Sequence, residues 1–400
     1  MSEPGFFAKL LAGAQFQLIP LGKVTEIKRG TSITKKDIEQ GPVPVIAGGR
    51  SPAYYHNKSN RTGQTIVIAG SGAYAGYVSW WEKPIFVSDA FTVKPFPGLL
   101  PRYCFHWLKS LQERIHELKS GGGVPHVYPR DIAPFEIPIP CPDDPGKSLA
   151  IQAEIVRILD SFTELTAELT AELAARKKQY NHYREKLFAF AEDDADAFRL
   201  GDPRLGEFIR GGELQKKDFT GEGVGCIHYG QIYTHYGTFA HSTKSFVSEE
   251  FAKKARKAKQ GDLVIATTSE NDDDVCKAVA WLGDEEIAVS SDACFYSHKL
   301  NPKYVAYFFQ TEQFQKQKRA YITGTKVRRV NANDLAKILI PIPKKEGEQA
   351  RIATILDNFD TLTTSLSEGL PREIALRQQQ YEYYRDLLLS FPKSEQAVEA

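Results

Sequence analysis

Residues 137–162 read IPIPCPDDPGKSLAIQAEIVRILDSF, and much of this stretch is written again at 340–359 as IPIPKKEGEQARIATILDNF. The two IPIP segments lie 203 residues apart, and the two ILD-x-F segments lie 197 residues apart. Farther along the chain, QYNHYREKL at 179–187 returns as QYEYYRDLL at 380–388. Matches that recur in the same order over so long a period predict an internally duplicated chain.

Similarity between the two halves is weaker upstream of these segments. KKD at 35–37 corresponds to KKD at 216–218, and SDA at 88–90 corresponds to SDA at 291–293, but little similarity is left between about residues 50 and 130. We expect one scaffold that performs the same task twice, with two middle segments that face different targets. Drift in a duplicated structural protein is the alternative.

Two long helices are expected downstream of the IPIP segments. Residues 151–188 contain neither Gly nor Pro, and their apolar side chains recur at heptad spacing, which is typical of a coiled-coil-like rod of roughly 50 Å. The second copy repeats this seam as far as Leu366 and then contains Gly369 and Pro371, where we expect a kink or a break. The two seams could bury each other as an antiparallel pair, or each rod could cover its own head or a partner protein.

Each rod is preceded by a head of mixed composition. Apolar runs at 65–69 and 262–266 predict strands, and residues 101–118 and 302–318 predict helices. The expected fold class is therefore mixed α/β (α+β): two globular heads joined by two long antiparallel coiled-coil helices, with a pseudo-twofold internal repeat. The expected divisions are a head at 1–148, a helical region at 149–192, a head at 193–345, a helical region at 346–392 and a tail at 393–400. The acidic stretch 192–196 predicts a solvated turn.

Composition narrows the function classes. A chain of 400 residues with 42% hydrophobic residues can bury more than one core, and it contains no apolar run near the ~20 residues of a membrane span. Residues 1–150 carry 17 Lys and Arg against 12 Asp and Glu, residues 201–345 carry 22 against 18, and the remainder carries 12 against 20. We therefore expect a cytoplasmic protein with no membrane partner and with basic heads. Its five scattered cysteines are expected to be small buried hydrophobes rather than disulfides or zinc ligands.

Segment 313–330 is the richest candidate for contact with double-stranded DNA, because it contains six basic side chains and no acidic one. Glycine lets backbone amides approach a phosphate, and Lys and Arg neutralise its charge. An ordinary solvated loop is the alternative. The expected contacts here and in the corresponding loop of the first head are Lys318, Arg319, Thr325, Lys326, Arg328 and Arg329, together with Lys119, Gly122, His126, Tyr128 and Arg130.

A second group of candidates is polar and aromatic, because Asn, Gln and Arg can form paired hydrogen bonds with base edges in the major groove. Any single tyrosine among them could equally belong to the core. The candidates of this kind are Arg50, Tyr54, Asn57 and Arg61 in the first head and Tyr229, Gln231 and Tyr233 in the second. Two further groups complete the set of candidates. Ser71, Tyr74, Ser269 and Asn271 follow the apolar runs at 65–69 and 262–266, and Arg29, Lys35, Lys36, Lys216 and Lys217 are further basic residues.

No catalytic or metal-binding constellation is recognisable in the sequence. GSG at 70–72 is not a dinucleotide fingerprint, and neither a P-loop nor the Asn/Asp-Pro-Pro-aromatic motif of an amino-methyltransferase is present. DDD at 272–274 is best explained as solvated acids. A DNA reader without its own chemistry must use the active site of another chain. The alternatives are an enzyme in its own right and a coiled-coil scaffold that binds no nucleic acid.

The whole layout resembles the specificity (S) subunits of type I restriction-modification systems, in which two target-recognition domains alternate with two conserved helical regions. The resemblance rests on IPIP, on the Gln-Ala-x-Ile and ILD-x-F helix start, and on the QY…YR…LL helix end. Residues 166–173 read TAELTAEL, which is similar to a tandem repeat whose copy number sets the gap between half-sites in some members. Four helical residues add about 6 Å, on the order of one to two base-pair steps.

The resemblance implies a chain that is not itself an enzyme. It would read a bipartite DNA target with one half-site per head. It would also join two methyltransferase (M) subunits and two restriction and motor (R) subunits, with the helices as the docking surface. S-adenosylmethionine, ATP and Mg²⁺ would then belong to the partner subunits, and this chain would bind no cofactor.

Overall fold

The computed structural model describes residues 15–34, 36, 39–365 and 367–390. The chain forms two compact units, one from residues 1–168 and 374–400 and the other from residues 169–373. Each unit therefore contains one head and parts of both long helical regions. The expected domain divisions separate heads from helices, which is a different criterion, and they stay a prediction.

The first head contains both short strands and short helices, as its mixed composition predicts. In chain order, its elements and the long helix that follows are β1 (Phe16–Pro20), α1 (Leu21–Val24), β2 (Thr25–Arg29), β3 (Val43–Ile46), β4 (Tyr54–His56), β5 (Thr65–Ala69), β6 (Val78–Trp81), β7 (Phe86–Val87), β8 (Ala90–Pro95), α2 (Pro101–Ser110), α3 (Gln112–Glu117), α4 (Pro129–Ile132), β9 (Glu136–Pro140) and α5 (Pro145–Leu187).

The second head has a similar succession of elements. They are β10 (Ala195–Arg199), β11 (Gly206–Arg210), β12 (Phe219–Thr220), β13 (Val224–Ile227), α6 (Tyr229–Thr234), β14 (Phe239–Ala240), β15 (Ser245–Val247), α7 (Glu249–Lys254), β16 (Lys257–Ala258), β17 (Leu263–Ala266), β18 (Thr268–Ser269), β19 (Ala278–Trp281), β20 (Ile287–Val289), β21 (Ala293–His298), α8 (Pro302–Phe308), α9 (Glu312–Arg319), β22 (Arg328–Arg329), α10 (Ala332–Leu335), β23 (Leu339–Pro343), α11 (Glu348–Thr364) and α12 (Gly369–Leu389).

Strand order is repeated between the heads. The main sheet of the first head has the order β2-β8-β5-β6, and that of the second has β11-β21-β17-β19 followed by β14. A smaller sheet in each head contains one parallel pair, β3 with β7 and β13 with β20. A separate antiparallel ribbon joins the first strand of each head to its IPIP strand, β1 with β9 and β10 with β23. The duplication seen in the sequence thus extends to the weakly similar middle segments.

The central strands agree closely with the sequence pattern. All five residues of β5 are buried, and so are all four of β17, which explains their continuous apolar runs. The single helix predicted at 101–118 is instead two, α2 and α3, which are separated at Leu111. The one predicted at 302–318 is also divided, because the Thr311 hydroxyl caps α9 by accepting the N–H of Phe314 at 3.2 Å.

Two kinds of hydrogen bond recur in the two halves: one joins the head helix to the IPIP strand that leads into the long helix, and the other joins the head to the long helix itself. A buried tyrosine hydroxyl donates to an IPIP carbonyl, and a glutamine side chain of the long helix accepts a backbone N–H at the start of the head helix. In the first unit these are Tyr103 to Pro138 at 2.8 Å and Leu100 to Gln152 at 2.9 Å. In the second they are Tyr304 to Pro341 at 2.7 Å and Asn301 to Gln349 at 2.9 Å.

The aspartate of the first ILD-x-F motif, Asp160, is a third attachment point. It accepts from Arg102 Nε at 2.7 Å and lies 2.8 Å from His106 Nε2. Burial raises the pKa of Asp160, but the hydrogen bonds from His106 and Arg102 outweigh it and leave the pKa below its usual value. Burial also lowers the pKa of His106, so a neutral ring can donate to Asp160 and accept from the Tyr381 hydroxyl at 3.0 Å.

The second copy makes the same attachment with different side chains. Asp357 lies 2.7 Å from Lys303 Nζ and accepts from the Tyr307 hydroxyl at 2.7 Å. Lys303 stands where the first head has arginine, and Tyr307 stands where it has histidine. Because the aspartate is kept while both of its partners change, its position on the long helix is the shared feature.

The two helical regions differ in continuity. Helix α5 runs without interruption for 43 residues, about 65 Å at the usual helical rise. In the second region, helix α11 ends at Thr364 and helix α12 begins at Gly369, so the predicted break is confirmed. Gly369 has a φ of +77°, and a Cβ there would lie 2.5 Å from the carbonyl oxygen of Thr361, a geometry that requires glycine. Leu366 of the predicted seam lies outside the described residues.

Aromatic side chains pack the helical segments together within each unit. Phe162 stacks on Tyr384 with ring centroids 5.2 Å apart in the first unit, and Tyr183 stacks on Phe359 at 5.5 Å in the second. The same seams also complete the cores of the heads. Tyr381 and Leu388 of α12 join the core of the first head, whereas Tyr180 of α5 joins that of the second. The antiparallel coiled coil and the pseudo-twofold relation stay predictions.

Two smaller expectations need correction. The acidic stretch forms a turn only over residues 192–194, because Ala195–Arg199 is a strand that pairs with the second IPIP segment. Four of the five cysteines are buried as expected, but Cys141 is only partly buried and has a φ of +44°. It follows the first IPIP strand, where the chain turns toward α5.

Candidate DNA interface

A tight hairpin forms the tip of the basic segment in the second head. The N–H of Thr323 donates to the carbonyl of Arg329, and the N–H of Arg329 donates to the carbonyl of Thr323, both at 2.9 Å. Gly324 turns the chain with a φ of +88°, and a Cβ there would lie 2.1 Å from the carbonyl oxygen of Val327. The turn therefore requires glycine. We call residues 324–328 the second tip loop.

The basic side chains of the second tip loop are held in different ways. Arg328 Nε lies 2.7 Å from Asp272 Oδ1, and Arg328 Nη1 donates to the carbonyl of Gly324 at 2.5 Å. These contacts preset the direction of its guanidinium. The expectation that DDD at 272–274 is merely solvated was therefore incomplete. Other side chains of the loop and its stem are exposed, namely Thr325, Lys326 and Arg329.

Lys318 is not part of this surface, because its side chain is 0% exposed. It lies on α9 four residues after Phe314, and both side chains are buried. Its Nζ donates to the carbonyls of Asp273 at 3.0 Å and Val275 at 2.9 Å, and burial lowers its pKa. The expectation that Lys318 reaches a DNA phosphate is corrected accordingly: the ammonium supports the turn that contains Asp272.

We predict that Lys318→Met destabilises the chain by about 1–3 kcal/mol, because the carbonyls of Asp273 and of the buried Val275 lose their donor. The salt dependence of DNA binding should be unchanged at temperatures where the variant is folded. Lys316→Met is the matched control on the exposed side of α9 and should stay within about 0.5 kcal/mol of the wild type. Urea unfolding measures the free energy of unfolding of both variants, and DNA titrations at several salt concentrations measure the salt dependence of binding. A Lys318→Met variant of normal stability but weaker DNA binding would return Lys318 to the interface.

Gln231 and Tyr233 make internal hydrogen bonds in the second head. Gln231 Nε2 donates to Ser245 Oγ at 2.7 Å, and its Oε1 accepts the N–H of His228 at 2.9 Å, where it helps to cap α6. The Tyr233 hydroxyl donates to the carbonyl of Thr268 at 2.9 Å. Tyr233 therefore holds β18, the strand that pairs with the stem of the second tip loop, whereas Gln231 links α6 to β15. Direct base contact by either stays a prediction.

The turn after β18 is also internally hydrogen-bonded. Asn271 Nδ2 donates to Asp274 Oδ2 at 2.7 Å, and Asn271 Oδ1 accepts the N–H of Asp274 at 2.8 Å. Ser269 is buried and accepts the N–H of Asn271 at 3.4 Å, and Tyr229 is packed against a core cluster. Exposed candidates elsewhere in the second head are Lys216, Lys217 and Arg319.

The first head has a hairpin of the same design. The N–H of Ser120 donates to the carbonyl of His126 at 3.0 Å, and the N–H of His126 donates to the carbonyl of Ser120 at 2.8 Å. Gly121 turns the chain with a φ of +113°, and Gly122 is exposed. We call residues 121–125 the first tip loop. The closing pairs of the two tip loops lie 203 residues apart in the sequence, which is the same offset as that between the two IPIP segments.

An aromatic and basic cluster adjoins the first tip loop. The ring of Tyr128 stacks on His126 with centroids 5.9 Å apart. The guanidinium groups of Arg130 and Arg29 lie 4.8 Å and 5.5 Å from the Tyr128 centroid. Both arginines are exposed. The structure thus brings together four side chains that the sequence analysis took from two separate segments, as expected of a phosphate-contacting surface.

Arg50 is at the centre of a second cluster in the first head. Its guanidinium lies 4.8 Å from the Tyr74 ring centroid and 5.5 Å from that of Tyr77. Tyr74 is 42% exposed, so the stack faces solvent. Lys119 Nζ donates to the carbonyl of Ala73 at 3.0 Å and ties the stem of the first tip loop to the same turn. Stacked and exposed arginine is suited to contact with bases or phosphates.

Four candidates of the first head have mainly internal partners. Arg61 donates to the carbonyls of Asn60 at 2.8 Å and Arg29 at 3.0 Å, and to Thr92 Oγ1 at 3.1 Å. The remaining three are Tyr54, which donates to the Ile33 carbonyl at 3.3 Å, Asn57, which donates to Glu39, and Ser71, which donates to Asp89. Their contact with DNA stays a prediction. Lys36 is exposed, and Lys35 lies outside the described residues.

Two absences can be stated for the part of the chain that the structure describes. It holds no group of three or more His, Cys, Asp or Glu side chains placed to bind a metal ion. None of its helices combines the length and the apolar character needed to cross a bilayer.

Comparison with known proteins assigns the chain to a family. The family model described as "Type I restriction modification DNA specificity domain" matches residues 14–176 and 192–376. The two matches begin near the first strand of each head and end within a long helix. The chain belongs to the type I restriction-modification DNA specificity family. As a specificity subunit it recognises a DNA target and is not itself an enzyme.

Similar proteins span the full length of the chain. The specificity subunit of the Escherichia coli type I restriction enzyme EcoR124I/EcoR124II is 33% identical over 421 residues, which cover 99% of both chains. A Haemophilus influenzae type I restriction enzyme specificity subunit is 29% identical and covers 96% of this chain and 98% of its own. The solved S subunit from M. genitalium has a TM-score of 0.58 at 17% identity and covers 96% and 98% of the two chains, which supports the fold.

Proposed function

We propose that each head of this specificity subunit reads one half of a bipartite duplex DNA target, and that the two long helices hold the heads at a fixed separation as an antiparallel coiled coil with pseudo-twofold symmetry. The observation that carries the proposal is the repeated hairpin. Both heads have the same strand order and a glycine-turned tip loop at equivalent positions, yet the side chains around the two loops differ. A shared frame with different contact residues is suited to two different half-sites.

Charge supports the same division of labour. The head segments 1–150 and 201–345 have net charges of +5 (17 minus 12) and +4 (22 minus 18), whereas the rest of the chain has a net charge of −8 (12 minus 20). Cationic heads bind the DNA backbone through release of counterions. An acidic scaffold is better suited to protein partners than to phosphate.

We further propose that the helices dock two methyltransferase subunits and two restriction and motor subunits in the cytoplasm. The methyl donor S-adenosylmethionine, ATP and Mg²⁺ then bind to those partners, and this chain selects the DNA sequence on which they act. Its own residues contribute binding and positioning: the tip loops approach the duplex, and Asp160 and Asp357 fix each head on its helix.

Deletion of the gene tests the proposal. We expect genome-wide mapping of methylated adenines to show a motif with two separated, dissimilar parts in cells that contain the gene, and to show loss of that motif in the deletion strain. Purified chain with labelled methyl donor and DNA but no partner should give no turnover. An unchanged set of methylated sites would contradict the role in target recognition, and turnover by the chain alone would contradict the non-catalytic role.

A further inference from the structure

Each tip loop presents an apolar side chain to solvent at the same position. Val124 is 55% exposed and Val327 is 42% exposed, and they lie 203 residues apart, the offset of the two IPIP segments. Among the described residues, no other two exposed large apolar side chains stand at equivalent positions. Tyr74, for example, has Asn271 as its counterpart. A single exposed valine needs no explanation, but a repeated one in otherwise divergent loops does.

The backbone is arranged to hold these valines outward. Each loop begins with a glycine of positive φ, Gly121 at +113° and Gly324 at +88°, and is closed by a reciprocal pair of backbone hydrogen bonds. Each closed stem is in turn paired with a strand or bridge of the head, at Ser71 in the first and at β18 in the second. The valine therefore sits near the end of a short and well-supported projection.

Basic side chains adjoin Val327 directly and stand farther along the chain from Val124, whose immediate neighbours are Gly123 and Pro125. Lys326 and Arg328 flank Val327 directly, and Lys119 and Arg130 lie near Val124 in the chain, on the stem and beyond it. An apolar tip with cationic side chains on or near its loop is complementary to a DNA groove, whose walls are phosphates and whose floor is formed by base pairs.

We propose that Val124 and Val327 enter a groove of the duplex and contact base-pair edges in the two half-sites. The inference rests on the proposed function and adds a residue and a role to it. Because the valine is common to two heads that otherwise differ, it performs a task common to both half-sites. Two contacts have the required chemistry: packing on a thymine methyl group, and insertion beside a base step that becomes partly unstacked.

Alanine substitutions test this inference in the full-length chain. We expect Val124→Ala and Val327→Ala each to weaken binding to the target duplex about tenfold, as for loss of roughly half of a buried valine side chain. The slope of affinity against salt should be unchanged, because no charge is removed. Leu387→Ala is the matched control: it shortens another exposed apolar side chain, on α12, and should bind as the wild type does. Equal binding by the wild type and the Val124→Ala/Val327→Ala double variant would overturn the inference.

Two modified duplexes identify the contact. If a thymine methyl is involved, deoxyuridine in place of thymine weakens the wild type but not the alanine variant. If a base step is opened, 2-aminopurine fluorescence rises with the wild type and less with the variant. Failure of the two proposals is distinguishable. A wild-type chain that binds no duplex contradicts the proposed function, whereas a wild type that binds no better than the double variant contradicts only the role of the valines.

Discussion

A third TAEL copy inserted after Leu173 is expected to abolish recognition of the natural target and to create recognition of a target whose half-sites lie farther apart. Helix α5 is continuous through this region, and the division between the two compact units falls between Glu168 and Leu169, inside the TAEL repeat. Four added residues lengthen the helix by about 6 Å and rotate it by roughly 40° beyond a full turn. On the proposed function, both changes would alter the separation and the relative rotation of the two heads.

The expected loss on the natural target is about 100-fold or more. On the proposed function, the wrong spacing would let only one head bind at a time, and the advantage of two linked binding sites would be lost. Methylation or binding assays on duplexes in which the spacer grows by one to three base pairs would show activity return at one length. In the control chain, Glu168→Gln and Glu172→Gln alter the repeat without changing its length, so the natural target should be kept. A change in either half-site sequence would contradict the role of the repeat as a spacer.

Replacement of Arg328 and Arg329 by alanine is expected to weaken DNA binding by about 10- to 100-fold near physiological salt. If each arginine neutralises one phosphate, the slope of log affinity against log salt should fall by about 1.8 in magnitude. Arg328 should contribute more than Arg329, because Asp272 and the Gly324 carbonyl already orient its guanidinium and less freedom is lost on binding.

Arg204→Ala is a suitable control for the double substitution. Arg204 is exposed, makes two hydrogen bonds to Asp202 and lies outside both tip loops, so it tests loss of a paired arginine elsewhere in the head. We expect normal DNA affinity for this variant and an unchanged melting temperature for both. If the Arg328→Ala/Arg329→Ala variant bound duplex DNA as the wild type does, the second tip loop would not belong to the interface.

Local patterns in the sequence predicted the elements that depend on local physics. The apolar run 65–69 coincides with β5, and the strand predicted at 262–266 begins one residue later as β17. The break beside Gly369 was also predicted, because glycine and proline act on the backbone directly. The duplicated motifs predicted that the two halves share one frame, and the repeated strand order agrees.

Burial and ion pairing that depend on contacts between distant parts of the chain were harder to predict from the sequence. Lys318 looked like one of several exposed cations, and only its packing against the 273–275 turn shows it buried. One signal was present: Phe314 and Lys318 stand four residues apart on a short helix, so they share a face. No comparable signal linked Asp160 to Arg102 across 58 positions, or Arg328 to Asp272, since such pairs form only when the sheets have folded.

The recurring attachments of head to helix have an evolutionary consequence. A tyrosine on an IPIP carbonyl, a glutamine at the head helix and an aspartate of the ILD-x-F motif hold both heads in the same manner. Genetic recombination between the two copies, or between alleles, can therefore exchange the gene segment for an entire head and leave the attaching glutamine and aspartate of the long helix unchanged. On the proposed function, such an exchange would create a new pairing of half-sites in one crossover, without gradual remodelling of a binding surface.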